Sequence, residues 1–390
     1  MNKFKSAVAA LTAILTCISS GSIISFASGT TYDPCDINRD GTVTIVDSLI
    51  IRRYLSGSLH CQNYNQLDAN QNLTIDVTDA ECVQANLAHL SYSCGYYSRT
   101  TGQTMPVPSV TGFASDDFAS SYVGRSYMRY SFKTNQQLSN YSLMPTDVTM
   151  DDLCSTRSIL DGVDNRYLAN GSENSGLVRV GDSGGTGFII GDHMIATAAH
   201  CVYKKDVEEW YNVGIQTYNV DGSLTGETLT PVEAHIPYRY QSETGAKFDY
   251  ALITVEEDLS EYVHFNLAGS YNVTTADYSN IPIYITGCPS HVFSQDENKM
   301  VANTTDHLYS AEGRVHATSN TYAIDTDIYI SGGDSGSPMY TIMESRTGDE
   351  DSMYSYSVLG ICSGYGVTSY GCLITKYQLQ FYKNNPYVSH

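Results

Sequence analysis

Apolar and polar positions along this chain change their rhythm twice. Two short stretches, Ser48-Leu49-Ile50-Ile51-Arg52-Arg53-Tyr54-Leu55 and Ala80-Glu81-Cys82-Val83-Gln84-Ala85-Asn86-Leu87, carry apolar side chains at helical spacing. Residues 95 to about 157 show no sustained period and are rich in Ser, Thr, Gly, Pro and Asp. There Met105-Pro106-Val107-Pro108-Ser109 is extended or turn-like. The stretch reads as a linker merging into a pro-segment; in a second reading its tyrosines 122, 127, 130 and 141 pack on the domain that follows. From residue 158 the apolar runs are short and alternating: Leu177-Val178-Arg179-Val180, Tyr250-Ala251-Leu252-Ile253-Thr254-Val255, Ile281-Pro282-Ile283-Tyr284-Ile285 and Tyr354 to Ile361. That rhythm supports strands arranged as two β-barrels. Lys376 to Tyr382 reads as a closing helix.

The chain opens with a basic Met1-Asn2-Lys3-Phe4-Lys5, an apolar run from Ala7 to Ile18, and small residues at Ser25-Phe26-Ala27. Residues 1–27 therefore read as a signal peptide cleaved after Ala27, too short in its apolar part to span a bilayer. Thr16 is a poor residue before a lipidated cysteine, so Cys17 does not suggest anchoring. The expectation is a secreted, extracellular protein associated with a scaffold or cell surface, with no membrane span. Asp and Glu outnumber Lys and Arg 42 to 21, a balance that repels phosphate backbones and argues against nucleic acid as a partner. Of the ten cysteines one lies in the leader; the nine others suggest some disulfides and at least one unpaired thiol.

The first helix follows Asp36-Ile37-Asn38-Arg39-Asp40-Gly41-Thr42-Val43-Thr44-Ile45-Val46-Asp47. Oxygen side chains stand at positions one, three, five and twelve (Asp36, Asn38, Asp40, Asp47), Thr42 offers a carbonyl at seven, and Gly41 turns the chain at six, which is a calcium loop. The pattern repeats at Asp68, Asn70, Asn72, Thr74 and Asp79 over residues 68–79. Leu73 replaces the glycine there, and two asparagines lower the charge on the ion, so the second site is expected to be the weaker. No helix precedes Asp36, and Asp rather than Glu closes each loop. Residues 33 to 94 thus resemble dockerin, a small α-helical module with paired calcium loops that plugs into cohesin domains of cellulosome-type scaffolds. The resemblance implies cohesin contacts at Ile45, Val46, Arg52 and Arg53 in the first repeat and at Val77 and Thr78 in the second. Because the repeats differ at these positions, interchangeable binding by either half is not expected.

Candidate chemistry centres on Gly333-Asp334-Ser335-Gly336-Ser337-Pro338. A serine hydroxyl needs a base and an orienting acid to become a nucleophile. Thr197-Ala198-Ala199-His200-Cys201 offers the base, and Phe248-Asp249-Tyr250 offers the acid at the head of an apolar run. Gly181-Asp182-Ser183-Gly184-Gly185 has a similar spelling, but Ser183 precedes His200 by only 17 residues and reads as a polar turn. In the order His, Asp, Ser, the three motifs resemble a trypsin-like serine protease. The resemblance covers 158–390 and implies two antiparallel six-stranded barrels. It assigns His200, Asp249 and Ser335 as the triad, the backbone N–H groups of Gly333 and Ser335 as the oxyanion hole, protein or peptide substrates, and no cofactor for catalysis. The alternative is a catalytically dead barrel that binds within the same scaffold.

Arg157-Ser158-Ile159-Leu160-Asp161, Ile324-Asp325-Thr326-Asp327 and Val358-Leu359-Gly360-Ile361 are similar to the glutamyl-endopeptidase branch of that family. That branch implies a histidine where Cys362 stands and often a threonine where Ile330 stands, so both groups for a substrate carboxylate are missing. Pocket walls are expected from Tyr329, Ile330, Ser331, Cys362, Ser363 and Tyr365. Cys362 and Cys372 are candidates to close a loop beside the pocket. Cys201, which lacks its usual partner, is either free or unusually paired. The resemblance also implies that a new N-terminus near Ser158 completes the active conformation. Cys154 lies three residues before that cut, and a bridge from it, with Cys201 or Cys288 as candidates, would keep the front of the chain attached.

Overall fold

The computed structural model describes residues 33–56, 58–59, 66–71, 75–106, 125–143, 164–181, 185–243, 245–268, 281–294, 296–316, 323–347, 352–365, 369–374, 376–383, 385 and 387. The leader, Ser183, Asn72, Leu73, Thr74, Cys154 and the Arg157–Ser158 junction lie outside them.

Each calcium-type loop runs into a capped helix. Thr44 accepts from Val46 N at the start of Ile45–Leu55, and Asp76 accepts from Thr78 N at the start of Val77–Leu87. In both, an aspartate three residues on, Asp47 or Asp79, reaches back to the cap N–H to complete a capping box. Ile51, Tyr54, Ala80 and Val83 close a small core between the helices with Cys35, Ile37 and Leu67.

The larger part is two sheets of alternating strands. In the first, nine strands lie in the order Leu224–Leu229, Ile215–Tyr218, Leu177–Val180, Gly185–Gly191, Met194–Thr197, Ala251–Val255, Pro231–Pro237, β3 (Arg125–Ser131) and β4 (Gln136–Leu143). In the second, Met353–Tyr365, Ser369–Leu373, Ala323–Thr326, Tyr309–His316, Pro282–Gly287 and Pro338–Thr347 follow one another, and Pro338–Thr347 pairs back onto Met353–Tyr365. That closure makes a six-stranded barrel and removes the open edges between its members. The closing helix, Lys376–Lys383, packs Phe381 and Tyr382 into the core of the first sheet.

The described parts of the stretch expected as linker and pro-segment, residues 95–106 and 125–143, form strands of both sheets. β1 (Tyr92–Ser98) pairs with Pro338–Thr347 from Tyr92↔Thr347 to Tyr97↔Ile342, and β2 (Gln103–Pro106) pairs with β1. Their turn is nailed down by charge. Arg99 Nη1 meets the fully buried Glu173 at 2.6 Å, and Glu312 accepts from Ser98 Oγ at 2.6 Å and Thr100 N at 2.9 Å. β3 pairs with Pro231–Pro237, and Tyr127 stacks on Phe381 at 4.6 Å. The tyrosines at 127 and 141 pack on the protease-like body, the second of the two readings; Tyr122 lies outside the described residues.

Candidate active site

His200 and Asp249 meet because of strand register. Met194–Thr197 and Ala251–Val255 are antiparallel with Thr197 opposite Ala251. His200 overruns one strand within the 3₁₀ turn Ala199–Cys201, and Asp249 precedes the other at the same end, just after the 3₁₀ turn Ala246–Phe248. His200 Nδ1 lies 2.7 Å from Asp249 Oδ2, and His200 N donates to Asp249 Oδ1 at 3.0 Å. One carboxylate thus fixes both the ring and its backbone. Burial opposes charge on the His200 ring, but the adjacent Asp249 carboxylate outweighs it and lifts the imidazole well above its usual range. Burial likewise works against the Asp249 carboxylate, yet His200 and Ser363 hold it below the usual range.

Ser335 sits half-exposed in the loop that enters Pro338–Thr347. Both sheets clamp that loop. Thr186 N donates to Ser335 O at 2.8 Å and Thr186 Oγ1 to Gly333 O at 3.0 Å, while Gly336 N donates to Cys362 O at 2.8 Å. Gly336 takes φ +82°, and a Cβ there would lie 2.2 Å from Thr186 O, so only glycine fits. Cys201 Sγ points at Ser335 O at 3.6 Å, placing the histidine turn against the serine loop.

Among the described residues, two N–H groups of this loop are left without an acceptor. Gly332 O accepts from Ser290 N at 2.6 Å, and Asp334 O accepts from Ser337 N at 3.1 Å. In a trans peptide the N–H points opposite its carbonyl, so the N–H groups of Gly333 and Ser335 are turned away from these partners. Among the described residues neither has an acceptor. Such a pair of vacant donors is what a developing oxyanion needs. The family model for trypsin matches residues 165–384, more than half the chain. The chain belongs to the trypsin family.

A second family model, the dockerin type I domain, matches residues 34–88. Among characterised proteins, a glutamyl endopeptidase of Bacillus licheniformis is 27% identical over 165 residues, covering 42% of this chain and 46% of the relative. The chain therefore spans about half the length of that curated relative. Among solved structures, a Glu endopeptidase in complex with MPD superposes with a TM-score of 0.42 at 20% identity, over 57% of this chain and 97% of the other.

Several expected pocket walls do other work in this trypsin-family chain. The Ser363 hydroxyl donates to Asp249 Oδ2. Ser331 Oγ donates to His291 O at 3.2 Å and accepts from Arg166 at 3.1 Å. Tyr329 lies beneath the Arg166 guanidinium at 5.1 Å. Ile330 and Cys362 are buried in the second barrel's core, so neither is a carboxylate-binding group in chemistry or exposure. The side chain of Tyr365 lies outside the described residues. Cys362 carries no disulfide; register sets it opposite Gly371, and Cys372 opposite Ile361, so the expected loop closure is not made. Cys201 and Cys288 are also unbridged, which leaves the expected tether to Cys154 without an anchor at either. Among the described residues, Cys35 and Cys82 bring their Sγ atoms to 3.9 Å of each other.

In the first calcium-type loop, Asp36 Oδ2 accepts from Gly41 N at 2.9 Å and Asp47 Oδ1 from Asn38 N at 3.1 Å. Gly41 takes φ +91° at the sharp turn. Among the described residues no three acidic, His or Cys side chains converge as a ready-made cluster; the loop's own amides hold the carboxylates. The donor set, all oxygen with Asp47 fully buried and aimed inward, fits a hard cation. In the second loop Asp79 is also fully buried, while Asp76 accepts from Asn266 Nδ2 at 3.2 Å. Of the expected partner-binding positions, Ile45 is 60% exposed, Arg52 is exposed, and Val46 and Arg53 are half-buried. Val77 is exposed, but Thr78 is buried beneath Asn70 and Tyr92.

Proposed function

We propose that this chain is a secreted serine endopeptidase acting through His200, Asp249 and Ser335, and that its front module docks it by calcium-dependent binding to a cohesin domain of a cellulosome-type scaffold. The observation that carries the catalytic reading is the His200–Asp249 pair beside a serine loop with two vacant N–H donors. His200 Nε2 takes the proton as Ser335 Oγ adds to the peptide carbonyl, and Asp249 steadies the resulting imidazolium. The negative oxygen lodges against Gly333 N–H and Ser335 N–H. The imidazolium then gives its proton to the leaving amine, and water hydrolyses the acyl-enzyme by the same relay. Among the described residues no hydrogen bond yet joins Ser335 Oγ to His200, a contact that commonly tightens only with substrate bound.

Calcium would be held by Asp36, Asn38, Asp40, Thr42 and Asp47 in the first loop and by Asp68, Asn70, Asn72, Thr74 and Asp79 in the second. Its contribution is to order the loops and the helices that present Ile45, Val46, Arg52 and Arg53. Digestion of a diverse peptide library by the purified chain tests the catalytic half. Cleavage that disappears in Ser335→Ala supports it, and equal cleavage by both proteins removes it.

A further inference from the structure

Asp334 precedes the nucleophile and is 2% exposed in its side chain, so a bare carboxylate there is costly. Its partner is Arg166, whose side chain is 3% exposed. Arg166 Nη1 donates to Asp334 Oδ2 at 2.9 Å and to Ser331 Oγ at 3.1 Å. Its other donors reach Asp164 Oδ1 and Oδ2, both at 2.9 Å, and His291 O at 2.6 Å. Asp334 Oδ2 also accepts from Ser331 N at 2.8 Å. The Asp334 carboxylate and the Ser331 hydroxyl and N–H, which flank Gly333, are thus tied to a single buried guanidinium. Such a planar fork holds two acceptors at fixed angles, which a point charge does not.

We propose that Arg166 is the built-in counter-ion that sets residues 331–337 in their oxyanion-binding shape, so that the chain needs no new N-terminus at Ser158 to become competent. The inference rests on the protease reading above. Arg166 is a positioning residue: it acts through Asp334 and touches no reacting atom. β1 to β4 agree with it, because these strands are hydrogen-bonded into both sheets and are poorly suited to removal as part of a pro-peptide. The charged and titratable groups facing Arg166 are Asp164 on its own segment, Asp334 from the serine loop and Tyr329 from the stretch before it. The separate strand His291–Ser294 contributes the His291 carbonyl, not the ring, which is engaged with Ser290.

A new α-amino group at Ser158, were it the counter-ion of Asp334 in place of Arg166, would titrate differently. An α-amino group loses its charge near pH 8, whereas arginine keeps it above pH 12. The test is the rate at which a fluorophosphonate acylates the full chain, shown by intact mass to be uncut after residue 27, from about pH 8 to about pH 10. The uncut chain should be acylated, with no loss of rate across that window. Arg166→Gln should slow acylation by about 100-fold or more, and Arg166→Lys should recover part of the rate. An uncut chain that stays inert until cleaved before Ser158, or a rate that collapses with an apparent pKa near 8, overturns the proposal. If Arg166→Gln does not fold, the wild-type profile alone decides. Wild-type protein that no treatment makes reactive would instead remove the protease reading itself, and this inference with it.

Discussion

Ser363 donates its hydroxyl to the same Asp249 oxygen that meets His200 Nδ1. The strand Met353–Tyr365 therefore supports Asp249 from the second sheet, while His200 and Asp249 both flank strands of the first. Hydrogen bonds to charged groups contribute about 1.5–3 kcal/mol. Ser363→Ala should lower kcat/KM roughly tenfold or more with the fold intact. Steady-state kinetics with a cleaved peptide check this, and an unchanged kcat/KM would return Ser363 to the pocket wall.

Activity and stability should move in opposite directions with pH. The folded protein raises the His200 imidazole above its ordinary value, chiefly through Asp249 acting against burial. The charged ring thus adds stability that is fully present below the unfolded value near 6.5 and is lost as pH rises through the folded value. Catalysis needs the neutral ring, so kcat/KM should climb over the same interval. Asp249, held low, stays ionised throughout and loses its contribution only at more acidic pH. Parallel pH series of kcat/KM and of unfolding midpoints in wild type and His200→Ala test this. An acid limb at or below the ordinary imidazole value would contradict it.

The second calcium loop should be weakened by a neighbour as well as by its own sequence. Lys383, at the end of the closing helix, is half-buried, lies over the Tyr54 ring at 5.4 Å and is under the influence of Asp76 and Asp79. An ammonium beside these carboxylates competes with a cation for them. Lys383→Gln should raise calcium affinity of the second loop about three- to tenfold and leave the first loop unchanged. Isothermal calorimetry on the full chain, with Asp47→Ala to silence the first loop, reads this directly; no change in the second site would show that Leu73 and the two asparagines alone weaken it.

The His200–Asp249 juxtaposition and the barrel strands were legible because each is written locally. A serine between glycines, a histidine after two alanines and alternating apolar runs each carry their signal within about ten residues. Arg166 and Ser363 were not legible, since their roles depend on Asp334 and Asp249, more than a hundred residues away in sequence. β1 to β4 were missed for a different reason. In β4 only Tyr141 is buried, so no alternation marks the strand, and the hairpins are held by pairing, stacked tyrosines and the Arg99–Glu173 contact. Thr78 illustrates the same limit: its loop position suggests exposure, and only packing of Tyr92 across it shows otherwise.

The account's central claim is that Ser335, and not the similarly spelled Ser183, is the nucleophile. Peptide mapping of the chain after saturation with a fluorophosphonate tests it in one measurement. A single adduct is expected on the peptide carrying Ser335, absent in His200→Ala. An adduct on Ser183, or no adduct on folded wild-type protein, would contradict it.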